Sequence, residues 1–138
     1  MRQQAPQYGR LRRRSEFLDA SRGLRSHVPA FSLQAVRRAD PGEARFGFTV
    51  TKKTGNAVER ARMRRRLKEA LRIGQGLPVR EGHDYVFVVR RDALSTPFAE
   101  LSTQVGRALA EIGAKLDRKL QEPKKSTEPQ PMKAVDRR

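Results

Sequence analysis

Residues 51–72 read TKKTGNAVERARMRRRLKEALR, a stretch so cationic that it can be helical only if its few apolar side chains share one face. At about 100° per residue they do: Met63, Leu67, Ala70 and Leu71 fall on one stripe, which must pack on the rest of the fold. Asn56 followed by Glu59 is a helix-start signature in which each side chain meets the other's backbone N–H, and Gly74 is a stop. A helix is therefore predicted over residues 57–73, behind a break at Thr54 and Gly55. Arg62, Arg65 and Arg66 project from the side opposite the stripe. Arg60, Arg64 and Lys68, at i, i+4 and i+8, run along one edge of it, where long stems can cover a core and hold their heads beside a sheet.

Between Lys52 and Arg72 stand nine Lys or Arg and two Glu. A solvated helix face normally mixes signs and gains about 0.2–0.5 kcal/mol per i, i+4 pair, whereas this face stacks like charges and forgoes that gain. Repulsion of this kind implies a partner that supplies phosphates. Lys52, Lys53 and the backbone N–H groups from Gly55 to Val58 add an anion site at the positive end of the helix. Six arginines against one lysine in the helix favour bidentate phosphate contacts. The whole chain repeats the theme, with 31 Lys+Arg against 15 Asp+Glu in 138 residues and a net charge of +16. Such a chain draws RNA, DNA or an anionic membrane surface. The membrane is the weakest of the three, because the arginine-rich helix uses its apolar face on the fold. The longest uncharged stretch, residues 26–36, contains His, Pro, Ser and Gln and cannot span a bilayer, so a soluble protein is expected.

The remaining elements place that helix. The first fifteen residues are Arg-rich, free of acid and without the apolar face of a transit peptide, and residues 1–9 read as a basic flexible arm. Ser15 offers an N-cap to a short helix over 16–22 anchored by Phe17 and Leu18. Residues 28–38 alternate, with Phe31, Leu33 and Ala35 on one side and Ser32 and Gln34 on the other. After the turn signal Asp40-Pro41-Gly42, residues 45–52 alternate again: Phe46, Phe48 and Val50 against Gly47, Thr49 and Thr51. These two runs are expected to pair as an antiparallel hairpin. Residues 85–89 are apolar on both faces and predict an interior strand. Thr96 and Pro97 read as N-cap and first position of a long helix whose stripe is Phe98, Leu101, Val105, Leu109, Ile112 and Leu116. Residues 119–138 read as a disordered basic tail, too poor in apolar groups to fold. One domain over residues 10–118 results, in α-β-β-α-β-α order. It is an α/β, more strictly α+β, two-layer sandwich of a small mixed sheet with helices on one face.

Nothing in this pattern is a catalytic constellation. There is no cysteine, and His27 and His83 are far apart, so no metal site is assigned. Glu59 and Glu69 sit among arginines, Asp84 and Asp92 flank a strand, and Ser15, Ser32 and Ser95 have no local partner. No catalytic residue is assigned to this chain; any such groups would come from elsewhere.

The segment GNAVERARMRRRLKEALR, with the preceding RFGFTVTKK, resembles the protein-component family of bacterial ribonuclease P. The likeness extends through SEF, HDYVFVVR and PFAEL, about residues 10–116. Arg60 and Arg62 match the family's two arginines, while Ala61 stands where the family usually has Asn. The resemblance implies a cytoplasmic subunit of a ribonucleoprotein that removes the 5′ leader from precursor tRNA as an endoribonuclease. Chemistry would be carried by the ribonuclease P RNA and its Mg2+ ions, with no cofactor bound by the protein, no membrane contact, and a monomer outside the ribonucleoprotein. It also implies a left-handed βαβ crossover at the arginine-rich helix. Lys52, Lys53, Gly55, Asn56, Arg60, Arg62, Arg65 and Arg66 are the candidates for the catalytic-RNA surface. Phe17, Ser21, Ser32, Gln34, Arg64 and Lys68, with Thr49 and Thr51 as neighbours, are those for a cleft that receives single-stranded leader. Phe17 reads equally as ordinary core. Charge alone would also suit a ribosomal or other structural RNA-binding protein.

Overall fold

A computed structural model describes residues 8–39 and 41–121. The elements are β1 (Gly9–Arg10), α1 (Arg14–Ser21), β2 (Leu24–Val28), β3 (Phe31–Arg37), β4 (Arg45–Thr49), a 3-10 turn (Lys52–Thr54), α2 (Ala57–Ile73), β5 (His83–Val89), α3 (Asp92–Ser95) and α4 (Phe98–Gln121). The strands form one mixed sheet in the order β1-β4-β5-β3-β2. The chain is an α+β sandwich, as its composition and periodicity predict. Strand β5, apolar on both faces, lies at the centre, antiparallel to β3 and parallel to β4. Among the described residues no helix is long and apolar enough to cross a membrane.

Alternation sorts the side chains into two faces. Phe31, Leu33, Ala35, Phe46, Tyr85, Phe87 and Val89 share one face, and the stripes of α2 and α4 bury it. Met63, Leu67, Ala70 and Leu71 are all buried, and α2 stops before Gly74. The α4 stripe from Leu101 to Leu116 is buried likewise, with Phe98 packed at its margin. On the other face Val86 joins Leu11 and Ala20 in a smaller cluster, with Phe17, Val36 and Val88 around it.

Several expectations change. Strands β3 and β4 do not form a hairpin: β5 lies between them. Aromatic contacts show why. Phe46 stacks on its register partner Tyr85 with centroids 5.1 Å apart, and Phe48 stacks on Phe87 at 5.1 Å. Those pairs are available only if β4 lies directly beside β5. The hairpin partner of β3 is instead β2, reached through Pro29 and Ala30. Helices α2 and α4 cover one face as expected, but α1 lies on the other. Helix α4 begins at Phe98, because the Thr96 hydroxyl donates to Asp92 O of the extra helix α3 rather than capping α4. It continues to Gln121; residues 122–138 of the expected tail and 1–7 of the expected arm lie outside the described residues.

Candidate nucleic-acid interface

The start of α2 is fixed by reciprocal capping. Asn56 Oδ1 accepts from Glu59 N at 2.8 Å, and Glu59 Oε1 accepts from Asn56 N at 3.0 Å. Both carboxylate oxygens of Glu59 also accept from Arg91, each at 2.9 Å, so the Arg91 hydrogen bonds and the Asn56 N–H hold its pKa down at about 2. A Cβ at Gly55 would stand 2.7 Å from Glu59 Oε1 and 2.9 Å from the Arg91 guanidinium. Glycine there lets the ion pair lie against the backbone. Arg60 donates from Nε to Gly55 O at 3.0 Å, which tightens the same turn. Lys52 and Lys53 stand exposed on the 3-10 turn just ahead of it.

The arginines of α2 then separate by their partners. Arg62 and Arg65 are exposed and Arg64 is half-buried, and their side chains have no hydrogen-bond or ion-pair partner among the described residues. Arg66 differs. Its guanidinium donates to the carbonyls of Ala93, Leu94 and Thr96 within 3.1 Å, capping the end of α3. It belongs to the protein's own architecture as well as to the cationic helix. Lys68 lies 5.9 Å from the Phe48 ring centroid and lines a cavity of about 220 Å³ with Tyr8, Arg10 and Leu71.

Phe17, Ser21, Ser32 and Gln34 gather on the opposite face of the sheet. The Phe17 ring presses on Gly47, where a Cβ would come within 2.5 Å of it. The ring is half-buried, one edge in the small apolar cluster. Ser21 donates its hydroxyl to Leu18 O at 2.6 Å and ends α1. Ser32 and Gln34 face the same way as Gly47 and Thr49 through the register of β3, β5 and β4. Arg64 and Lys68 sit on the helix side of this sheet, so the two groups are divided by β4. They can meet only around the outer edge of β4 beyond Phe46, where β1 no longer pairs with it.

Sequence reasoning passed over two clusters. At one end of the sheet Asp84, 3% exposed, accepts from Arg45 Nε at 2.8 Å, Arg45 Nη2 at 2.7 Å and Arg38 Nη1 at 2.9 Å. Burial pushes this carboxyl up, and the hydrogen bonds from Arg45 and Arg38 outweigh it and leave the pKa below the ordinary value. At the other end His27 and Arg90 converge on Ser32. Neither cluster is local in the chain, which is why spacing does not disclose it.

Fold and surface together define a class: small mixed-sheet α+β proteins whose parallel crossover helix is rich in arginine, here with Arg62, Arg64 and Arg65 unpartnered among the described residues. Residues 5–113 match the family described as Ribonuclease P. A ribonuclease P protein component from Brucella melitensis is 44% identical over 113 residues, 75% of this chain and 79% of that protein. One from Gluconacetobacter diazotrophicus is 45% identical over 107 residues, 77% of this chain and 92% of that protein. Among solved structures, the RNase P protein of Staphylococcus aureus has a similar fold, with a TM-score of 0.59 at 19% identity over 80% of this chain and 96% of that one. The RNase P protein of Thermotoga maritima gives 0.57 at 24% identity over 68% and 88%. The chain belongs to the ribonuclease P protein family, whose role lies in tRNA processing.

Proposed function

We propose that this chain is the protein subunit of a ribonuclease P holoenzyme, binding the catalytic RNA and the 5′ leader of precursor tRNA and assisting endonucleolytic removal of that leader. The observation that carries this reading is the division of the α2 cations. Arg62 and Arg65 stand exposed without a partner among the described residues, and exposed Lys52 and Lys53 lie just ahead of the same helix. They form an outward surface suited to the phosphates of folded RNA. Arg64 and Lys68 stand beside the sheet edge, which leads round to the face bearing Phe17, Ser21, Ser32 and Gln34. That path suits a single strand held by charge and hydrogen bonds. On the face bearing Ser21, Ser32 and Gln34 the aromatic ring among these candidates is Phe17, so base stacking there, about 1–3 kcal/mol per base where it occurs, falls to that ring.

On this reading the chain positions RNA and leaves the bond-breaking step, which yields a 5′ phosphate on the tRNA, to the RNA partner and its Mg2+ ions. Among the described residues no three His, Cys, Asp or Glu gather as a metal site. Reconstitution with a bacterial ribonuclease P RNA at low Mg2+ is expected to raise the cleavage of precursor tRNA. Replacing Arg64 and Lys68 with Ala should then weaken leader-bearing substrate more than leaderless tRNA. Equal losses on both substrates would remove the division into two surfaces.

A further inference from the structure

On the sheet face that carries Ser32, the pairing of β2, β3, β5 and β4 aligns His27, Ser32, Val88 and Thr49 in one row. Ser32, at 8% exposure, is the buried centre of a polar cluster at one end of that row. Arg90 Nη2 donates to Ser32 Oγ at 2.9 Å, and its Nη1 donates to Val28 O at 3.1 Å. His27 Nδ1 lies 2.7 Å from the same Oγ. A guanidinium can only donate, and its donation polarises the serine O–H toward the imidazole. In the tautomer in which the Ser32 hydroxyl donates to Nδ1, the ring hydrogen stands on Nε2. His27 and Arg90 are both exposed, so the cluster presents an imidazole N–H and the remaining guanidinium N–H groups to solvent.

We propose that the His27–Ser32–Arg90 cluster is a phosphate clasp for the unpaired strand, gripping one backbone phosphodiester at the end of the row opposite Thr49. The proposal rests on the leader reading above and adds to it a second anchor, remote from α2. Four strands at about 4.8 Å spacing separate the ends of the row by roughly 14 Å, a span that a short run of nucleotides bridges. Surrounding charges favour an anion. Arg25 lies on the same face one row away, its guanidinium on Ser21 O, and Arg90 itself adds a full positive charge. Of the groups on α4, the Glu111 carboxylate, held by Ser26 on the far face of β2, also interacts with His27 and offsets part of this positive charge, while Lys115 donates to Arg25 O. Base identity is not read here, because every group in the clasp that points outward is a donor suited to phosphate oxygen.

The test uses the reconstituted holoenzyme and precursor tRNAs in which single leader phosphates are replaced by neutral methylphosphonates. His27→Ala and Arg90→Ala are each expected to weaken leader-bearing substrate about tenfold, the size of one charge-assisted hydrogen bond, with leaderless tRNA unchanged. One methylphosphonate position should weaken binding to the unaltered protein and have no further effect on the Arg90→Ala protein. Arg90 also holds the Val28 carbonyl, so if its variant fails to fold, His27→Ala, whose ring is exposed, decides the matter with the same substrates. Indifference of His27→Ala to the leader, with Arg64→Ala and Lys68→Ala still discriminating, would overturn the clasp and leave the leader reading standing. If no variant discriminates leader-bearing from leaderless substrate, the leader reading falls and takes the clasp with it.

Discussion

Replacing Arg62 and Arg65 together with Ala separates a solvated helix face from an RNA-binding one. Neither side chain has a partner among the described residues and both are exposed, so folding stability should move by no more than about 0.5 kcal/mol. If each contacts one phosphate, the slope of log affinity against log salt should become shallower by about 0.7–0.9 per contact, or roughly 1.4–1.8 for the pair. Across a fourfold rise in salt, binding by the unaltered protein should therefore fall about tenfold further than binding by the double variant. Arg66→Ala supplies the contrast from within the same helix. It removes donors to three carbonyls at the end of α3 and should lower stability by about 2 kcal/mol, since partly buried acceptors lose a charged donor. Its salt slope should stay close to that of the unaltered protein. The assay is equilibrium binding to a bacterial ribonuclease P RNA over a salt series, with thermal unfolding of each variant alone. An unchanged slope for the double variant, or a reduced slope for Arg66→Ala alone, would refute the division of arginines by their partners.

Asp84→Asn should destabilise the fold by about 3 kcal/mol, because Arg38 and Arg45 lose the carboxylate between them while remaining partly buried; urea unfolding measures this, and a change under about 0.5 kcal/mol would contradict it. Asp84, Glu16 and Glu59 all have depressed pKa values, Glu59 at about 2. Their contribution is complete above the unfolded-state values near pH 4 and is lost as pH falls below them, so the urea midpoint should drop between about pH 4 and 2 and drop less in Asp84→Asn. Gly47→Ala puts a methyl 2.5 Å from the Phe17 ring. It should cost about 1–3 kcal/mol by forcing α1 away from the sheet, and a thermal midpoint equal to that of the unaltered protein would show that the ring moves freely.

The legible parts of the fold are those with strong local periodicity. The α2 stripe, the α4 stripe and the interior strand β5 each announce themselves within one stretch of sequence. Strand β2 does not, because the middle inward position of Leu24, Ser26 and Val28 is a serine. Ser26 is buried only because its hydroxyl meets Glu111, 85 residues away. The hairpin expected between β3 and β4 failed for a related reason: the short turn favours neighbours in sequence, while the stacking of Phe46 and Phe48 on β5 favours neighbours in space. An interior β5 needs a strand on each side, and that requirement was the one available hint. At the surface, a helical wheel puts Arg66 with Arg62 and Arg65, and only the position of α3 distinguishes it. Ser32 enters through family resemblance, whereas His27 and Arg90, its partners, are brought to it by strand register.

Strand β4 depends on a neighbour made much later. Arg45 and Asp84, which pair across β4 and β5, are 39 positions apart in the chain. On a translating ribosome the β2 and β3 ribbon can close early through its tight turn, but Phe46 and Phe48 must wait for β5 to emerge. Helix α2 is synthesised during that wait, and its Met63 and Leu67 stripe can shelter the two rings. Maturation of the sheet is thus a late event that inserts a central strand between two parts already made, and this high contact order should make folding slow for a domain of this size.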